Sequence, residues 1–170
     1  MLDEQFEDIV EQYQTSVIAL IDRMVNSMET ARDLAQDSFI RLWHYRDKIK
    51  PDKPLFTLIY KIAMNISIDY LRKKKTDTVD FDLTTSSIER DILDSKEVFR
   101  IVLSCCEKLK PKQKAVFVLR DIEGYSFEEI KYIMDMPISN IRSNLHLARK
   151  NVRKMMELEY QINQELIYEL

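Results

Sequence analysis

Apolar side chains recur three and four positions apart along most of this 170-residue chain, and the runs break at prolines, at the one glycine and at small polar pairs. That period gathers side chains on one face of an α-helix, so each run predicts a helix with one buried side. Phe6, Ile9, Val10, Tyr13, Val17, Leu20, Ile21 and Met24 make the first, over 3–25, which Asn26-Ser27 interrupts. Ser27 is placed to cap the second, with Glu29 in its first turn and Ala31, Leu34, Ala35, Ser38 and Leu42 inside. After a polar break holding Pro51 and Pro54, a third helix over 54–75 buries Leu55, Leu58, Ile59, Ile62, Ala63, Ile66 and Tyr70.

Periodicity fades over 76–95, where Asp77, Asp80, Asp82, Glu89, Asp91 and Asp94 stand against Arg90, and the stretch reads as an acidic linker. Beyond it Val98, Ile101, Val102, Cys105 and Leu109 form one apolar face, stopped at Pro111. Pro111 opens the next helix, which is expected to bury Ala115, Val116 and Leu119 to Ile122 and to end at Gly124. Ser126 and Glu129 have the spacing of a capping box, opening a short helix with Ile130 and Ile133 inside. The chain turns at 135–138, and Ser139 is expected to cap a last helix with Ile141, Leu145, Ala148, Val152 and Met155 in the core. A short helix, a tight turn and a longer helix are the parts of a helix-turn-helix.

The expected fold class is therefore all-α: two small helical domains, over 1–75 and 96–156, joined by the acidic linker, with an acidic C-terminal extension over 157–170. Composition agrees, since hydrophobic residues make up 45%, charged residues 32%, and one glycine with four prolines is too few turn formers for an all-β protein. A run long enough to cross a bilayer and a secretory leader are both missing from the pattern, so a cytoplasmic protein without membrane insertion is expected. Cys105 and Cys106 are adjacent, a spacing that suits neither a redox pair nor a zinc site, and His44 and His146 lack companion ligands. Neither a metal nor a cofactor is expected, and no glycine-rich phosphate loop or nucleophile with its base points to an enzyme.

Net charge is −3, so any contact with a polyanion must come from local clusters. Two are present. On the third helix Lys61, Asn65, Ile68 and Arg72 fall in one line that runs into Lys73, Lys74 and Lys75. On the last helix Arg142, His146, Arg149, Lys150 and Arg153 share a side, with Ser139, Asn140 and Ser143 at its N-terminal end, and no acid occurs from 140 to 154. Arginine reads guanine edges and asparagine reads adenine, whereas serine and lysine mostly hold phosphates. The second helix has a third unusual face, where Gln36, Ile40 and Trp43 line up between Asp33 and Asp37 and suggest a protein partner.

In order, DLAQDSFIRLW, PLFTLIYKIAMNISIDYLRKKK, the acidic linker, LKPKQKAVFVLRDIEGYSFEEI and SNIRSNLHLARKNVR resemble the extracytoplasmic-function (ECF) sigma factors of bacterial RNA polymerase, over about 6–153. The resemblance implies a transcription initiation factor, not an enzyme, whose partners are core RNA polymerase, promoter DNA and an anti-sigma factor. It implies that Asp33, Gln36, Asp37, Phe39, Ile40 and Trp43 grip the clamp helices of the polymerase's largest subunit. The helix over 54–75 and the loop before it would recognise and help melt the minus-ten element, with Asn65 on a base and Lys61, Arg72 and Lys73 along the strand. Tyr60 is the first aromatic candidate to stack on an unpaired base, with Tyr45 beside it and Phe56 expected to pack in the core. Ser139, Asn140, Arg142, Ser143, His146, Arg149 and Lys150 would read the minus-thirty-five element as duplex, and the linker would thread toward the polymerase cleft. Asp135 stands where such factors commonly have glycine, and Asn144 and Leu147 replace positions often basic, so the promoter sequence does not carry over. The competing reading is a helix-turn-helix regulator that binds duplex DNA alone and uses its N-terminal half for dimerisation or sensing.

Overall fold

Asn26 and Ser27 turn the chain between the first two helices. In the computed structural model, which describes residues 3–46, 54–77 and 95–168 and the side chains of 6–46, 54–74 and 99–158, α1 covers Asp3–Val25 and ends at Asn26 in the left-handed conformation (φ 53°). Asparagine is one of the few side chains that tolerates it. Ser27 then caps α2 (Met28–Tyr45), its Oγ accepting from the Thr30 amide at 3.3 Å. The third helix, α3 (Leu55–Asp77), begins after Pro54 as the proline spacing predicts.

The second half opens with α4 (Ser95–Glu107) and α5 (Pro111–Phe117), which carries Pro111 in its first turn. From Val118–Ile122 the helix widens into one π-helical turn, in which the Glu123 amide donates to the Val118 carbonyl at 2.9 Å. Gly124 follows at φ +79°, with open space where a Cβ would sit, so the backbone angle and not crowding calls for glycine there. The helices α6 (Phe127–Met134) and α7 (Ile138–Tyr168) then form the helix-turn-helix, hinged at Asp135 with φ 50°. Because α7 starts at Ile138, Ser139 lies inside its first turn and not at the cap expected from the sequence. The acidic extension continues α7 without a break to Tyr168, and the expected acidic linker falls mostly on 78–94, outside the described residues.

The all-α expectation holds across the described residues, but the two halves do not stand apart. Helices α1, α2 and α3 pack together, α7 packs on α4, α5 and α6, and α3 also packs on α5 and α6. One continuous hydrophobic core results, running from Val17, Leu20, Ile21 and Leu42 through Ile59 and Ala63 to Leu119, Ile130, Ile133 and Ile141. Full burial of each such aliphatic side chain contributes roughly 1.5–3 kcal/mol. Lys114 is an exception inside this core, 2% exposed, with its ammonium donating to Glu107 Oε1 at 3.0 Å. Burial pushes the Cys106 thiol up to about 12, so this cysteine is a packing group and not a nucleophile.

The capping box on α6 forms in full. Glu129 Oε2 accepts from the Ser126 amide at 2.8 Å and from its hydroxyl at 2.7 Å, while Ser126 Oγ accepts from the Glu129 amide at 3.3 Å. These bonds from Ser126 hold the Glu129 carboxyl below the ordinary glutamate range. A depressed folded-state pKa means the carboxylate stabilises the fold above the unfolded value, about 4.3, and that this contribution is lost as pH falls through the folded value. Ser126→Ala is expected to cost about 1 kcal/mol in urea denaturation at neutral pH. The difference from wild type should shrink below pH 4.

Candidate functional site

Three surfaces inherit the residues singled out in the sequence. On α2, Asp33, Gln36, Asp37 and Ile40 are exposed, and Ile40 keeps 54% of its surface open. Between α1 and α2 lies an open groove of about 540 Å³, lined by Val10, Gln14, Ile18, Arg32, Gln36, Phe39 and Ile40. Phe39, grouped with the partner face in the sequence, is buried at 8% and forms the floor rather than the rim. Trp43 is half-buried, with the Phe6 ring edge-on at 4.8 Å and the Arg46 guanidinium 4.0 Å over its own ring. The groove is thus apolar at its floor, with the amides of Gln14 and Gln36 and the Arg32 guanidinium among its lining.

The α3 face is less open than its sequence line suggests. Asn65, Arg72 and Lys73 are exposed, and Arg72 reaches Asp69 at 3.4 Å. Ile68, placed in the solvent line by periodicity, is buried at 5%. Tyr60, the first candidate for base stacking, is buried at 8% with its ring edge-on to Phe56 at 6.2 Å and to Tyr125 at 5.9 Å. Both corrections have one cause: α3 packs on α1, α2, α5 and α6, which takes more of its circumference than a single stripe. Tyr45 at the end of α2 is the exposed aromatic nearby in sequence. Lys61 is half-buried and donates to Asp135 Oδ2 at 2.9 Å, across from α3 to the turn of the helix-turn-helix.

On α7, Ser139, Asn140, Arg142, Ser143, His146, Lys150 and Arg153 are exposed on one side, as the helical spacing requires. Arg149 is exposed too, but a two-pronged bond to Asp121, at 2.6 and 2.8 Å, fixes its guanidinium. The Arg142 guanidinium lies 5.3 Å over the Phe127 ring, whose other contact is Arg120 at 4.8 Å. Aromatic support of this kind orients an arginine without consuming its donors. The Asn144 amide is turned inward along the helix, donating to the Asn140 carbonyl at 2.8 Å, and Leu147 stands exposed. Among the described residues no cluster of three or more His, Cys, Asp or Glu side chains is arranged to hold a metal ion.

Sequence spacing gave no warning of several positions. Asp121 orients Arg149, Tyr125 meets Tyr60, and Glu123 forms an ion pair with Arg23 of α1. Each pairs residues tens of positions apart, beyond the reach of any helical period.

Two family models match, and they match these two halves. Sigma-70 region 2 covers residues 9–76, which hold α2, α3 and most of α1, and Sigma-70 region 4 covers 99–152, which hold the helix-turn-helix. Helices so divided define a two-part sigma factor of the sigma-70 type. Relatives narrow the class. The ECF RNA polymerase sigma factor SigW of Bacillus subtilis is 29% identical over 167 residues, covering 90% of this chain and 89% of its own. The ECF RNA polymerase sigma-E factor of Salmonella typhimurium strain LT2 is 31% identical over 161 residues, covering 86% and 84%. Among solved structures, the sigma factor RpoE in complex with the anti-sigma factor NepR from Bartonella quintana superposes with TM-score 0.69 at 18% identity, covering 91% of this chain and 98% of that one. CnrH in complex with the cytosolic domain of CnrY superposes with TM-score 0.67 at 19% identity, covering 92% and 90%. The chain belongs to the ECF sigma factors of RNA polymerase, and its function lies in transcription initiation.

Proposed function

We propose that this chain binds core RNA polymerase through the α1–α2 groove, places α7 on an upstream duplex element, and uses α3 to hold and help melt the minus-ten element. The acid-free basic face of α7, exposed within region 4, is the observation that carries the reading. Asp33, Gln36, Asp37, Ile40 and Trp43 meet the clamp helices of the largest subunit, with Phe39 lining the groove beneath them. Arg142, held over Phe127, and Asn140 read base edges, while Ser139, Ser143, His146, Arg149 and Lys150 settle on phosphates and groove edges. Asn65 contacts a base of the opened strand, and Arg72 and Lys73 hold its backbone. Phosphodiester chemistry is left to the polymerase, and the chain acts in the cytoplasm. The described residues include no helix long and apolar enough to cross a membrane.

An anti-sigma factor is a further partner under this reading. Two proteins of the same fold are held in complexes, one named for the anti-sigma factor NepR and one for CnrY. The exposed Ile40 and its groove supply an apolar surface for such a partner to cover.

The test is transcription by core polymerase from a library of random promoters, with and without this chain. New start sites sharing two spaced upstream elements are expected. In the same assay Arg142→Ala should weaken the upstream element by roughly 1–3 kcal/mol at one base pair. If no start sites appear and the chain does not compete for core polymerase, a regulator that binds duplex DNA alone becomes the better account.

A further inference from the structure

The outer face of α7 carries one large apolar side chain that the proposed function leaves without a task. Leu147 keeps 45% of its surface in water, although it stands among residues that would face DNA. It follows Ser143 by four residues and precedes Lys150 by three, so the three lie on one side of the helix, with Ser139 one turn earlier and His146 beside them. That stripe is opposite the core residues Ile141, Leu145, Ala148 and Val152. Two neighbours spend polar groups on the helix itself: the Ser143 hydroxyl donates to the Ser139 carbonyl at 3.0 Å, and the Asn144 amide to the Asn140 carbonyl at 2.8 Å. The surface around Leu147 is therefore less polar than its sequence suggests. Arg142 and Arg149 are held on the opposite flank of the stripe, by Phe127 and Asp121.

We propose that Leu147 is a specificity-determining residue that reads the 5-methyl group of one thymine in the upstream element. This rests on the placement of α7 on that duplex. Among the base edges of the major groove, the thymine methyl is the one apolar group. A leucine pressed on it removes both from water. Cytosine at the same place would lose the hydration of its N4 amino group, and a purine that of N7, with no side-chain partner in return. Discrimination therefore comes from two sides, a favourable contact with thymine and an uncompensated polar group on the other bases. Leu147 follows Asn140 by two turns of helix, roughly 10 Å along its axis, so it meets a different base pair from the one Asn140 reads.

The test uses the full-length chain with core polymerase on promoters taken from the library, their upstream element made with single thymine-to-deoxyuridine replacements. Deoxyuridine pairs as thymine does and lacks only the methyl group. At one thymine the replacement should lower initiation by wild type about threefold to tenfold, and 5-methylcytosine there should be tolerated better than cytosine. Leu147→Ala should initiate equally from the thymine and deoxyuridine templates, and Leu147→Arg should change the preferred base at that position to guanine. Because Leu147 is exposed, both variants should keep the urea midpoint of wild type and the preferences set by Arg142 and Asn140. If no thymine in the element responds to loss of its methyl group, or if Leu147→Ala keeps the wild-type response, Leu147 does not read it. Either result leaves the initiation-factor reading in place as long as wild type yields start sites from the library. An absence of start sites overturns both.

Discussion

Ile40→Glu is expected to lower affinity for core polymerase by about thirtyfold or more, and to abolish transcription that depends on this chain, without loss of folding. Ile40 projects from α2 with more than half its surface in water and sits on the rim of the α1–α2 groove. Such a side chain adds little to the free fold, where surface substitutions usually stay within about 0.5 kcal/mol. Its value is realised only when a partner covers it. A carboxylate at that place would lose the apolar contact of isoleucine and be desolvated beside Phe39 in the complex, and taking a charge out of water is costly. Ile40→Ala, which only removes contact area, should lose less. Competition with another sigma factor for core polymerase reads the effect, and circular dichroism against temperature checks the fold. If Ile40→Glu competes as well as wild type, the α2 rim is not the polymerase contact.

What was legible beforehand follows from range. The bounds of α1, the Ser27 cap, the Ser126–Glu129 box and the inward residues of α7 depend on neighbours within about one turn, and each appeared where local pattern put it. Tyr60 and Ile68 did not, because their burial is imposed by α3 packing on several elements, including helices from the far half of the chain. Periodicity marks one buried stripe and is silent on a second. Ser139 missed its cap by two residues for a local reason: the chain enters α7 at Ile138, directly after Pro137, so the serine that looks like a cap is already helical. The exposed polar residues of α2 and α7 were readable as faces. Their internal partners were not, since Asp121 lies 28 positions from Arg149 and Asp135 lies 74 from Lys61.

Leu119→Ala should destabilise the chain by about 2–5 kcal/mol, a large part of the roughly 5–15 kcal/mol that holds a domain folded. Leu119 is fully buried in the π-helical turn, in the core on which α7 rests through its contacts with α5. The recognition helix has one buried side only. Ile141, Leu145, Ala148 and Val152 hold it in place, and a cavity beneath them loosens Arg142 and Asn140 without touching either. The α1–α2 groove is built from other residues, so the variant should still occupy core polymerase while failing to read the upstream element. Mixed with wild type, it should therefore depress transcription as a competitor and not merely dilute it. Leu119→Met, close in volume, should cost less than about 1.5 kcal/mol and keep promoter selection. Urea denaturation gives the stability change, and transcription at fixed total protein with rising variant fraction gives the competition. A variant that loses polymerase binding together with promoter reading would show that the continuous core carries the damage from region 4 into region 2.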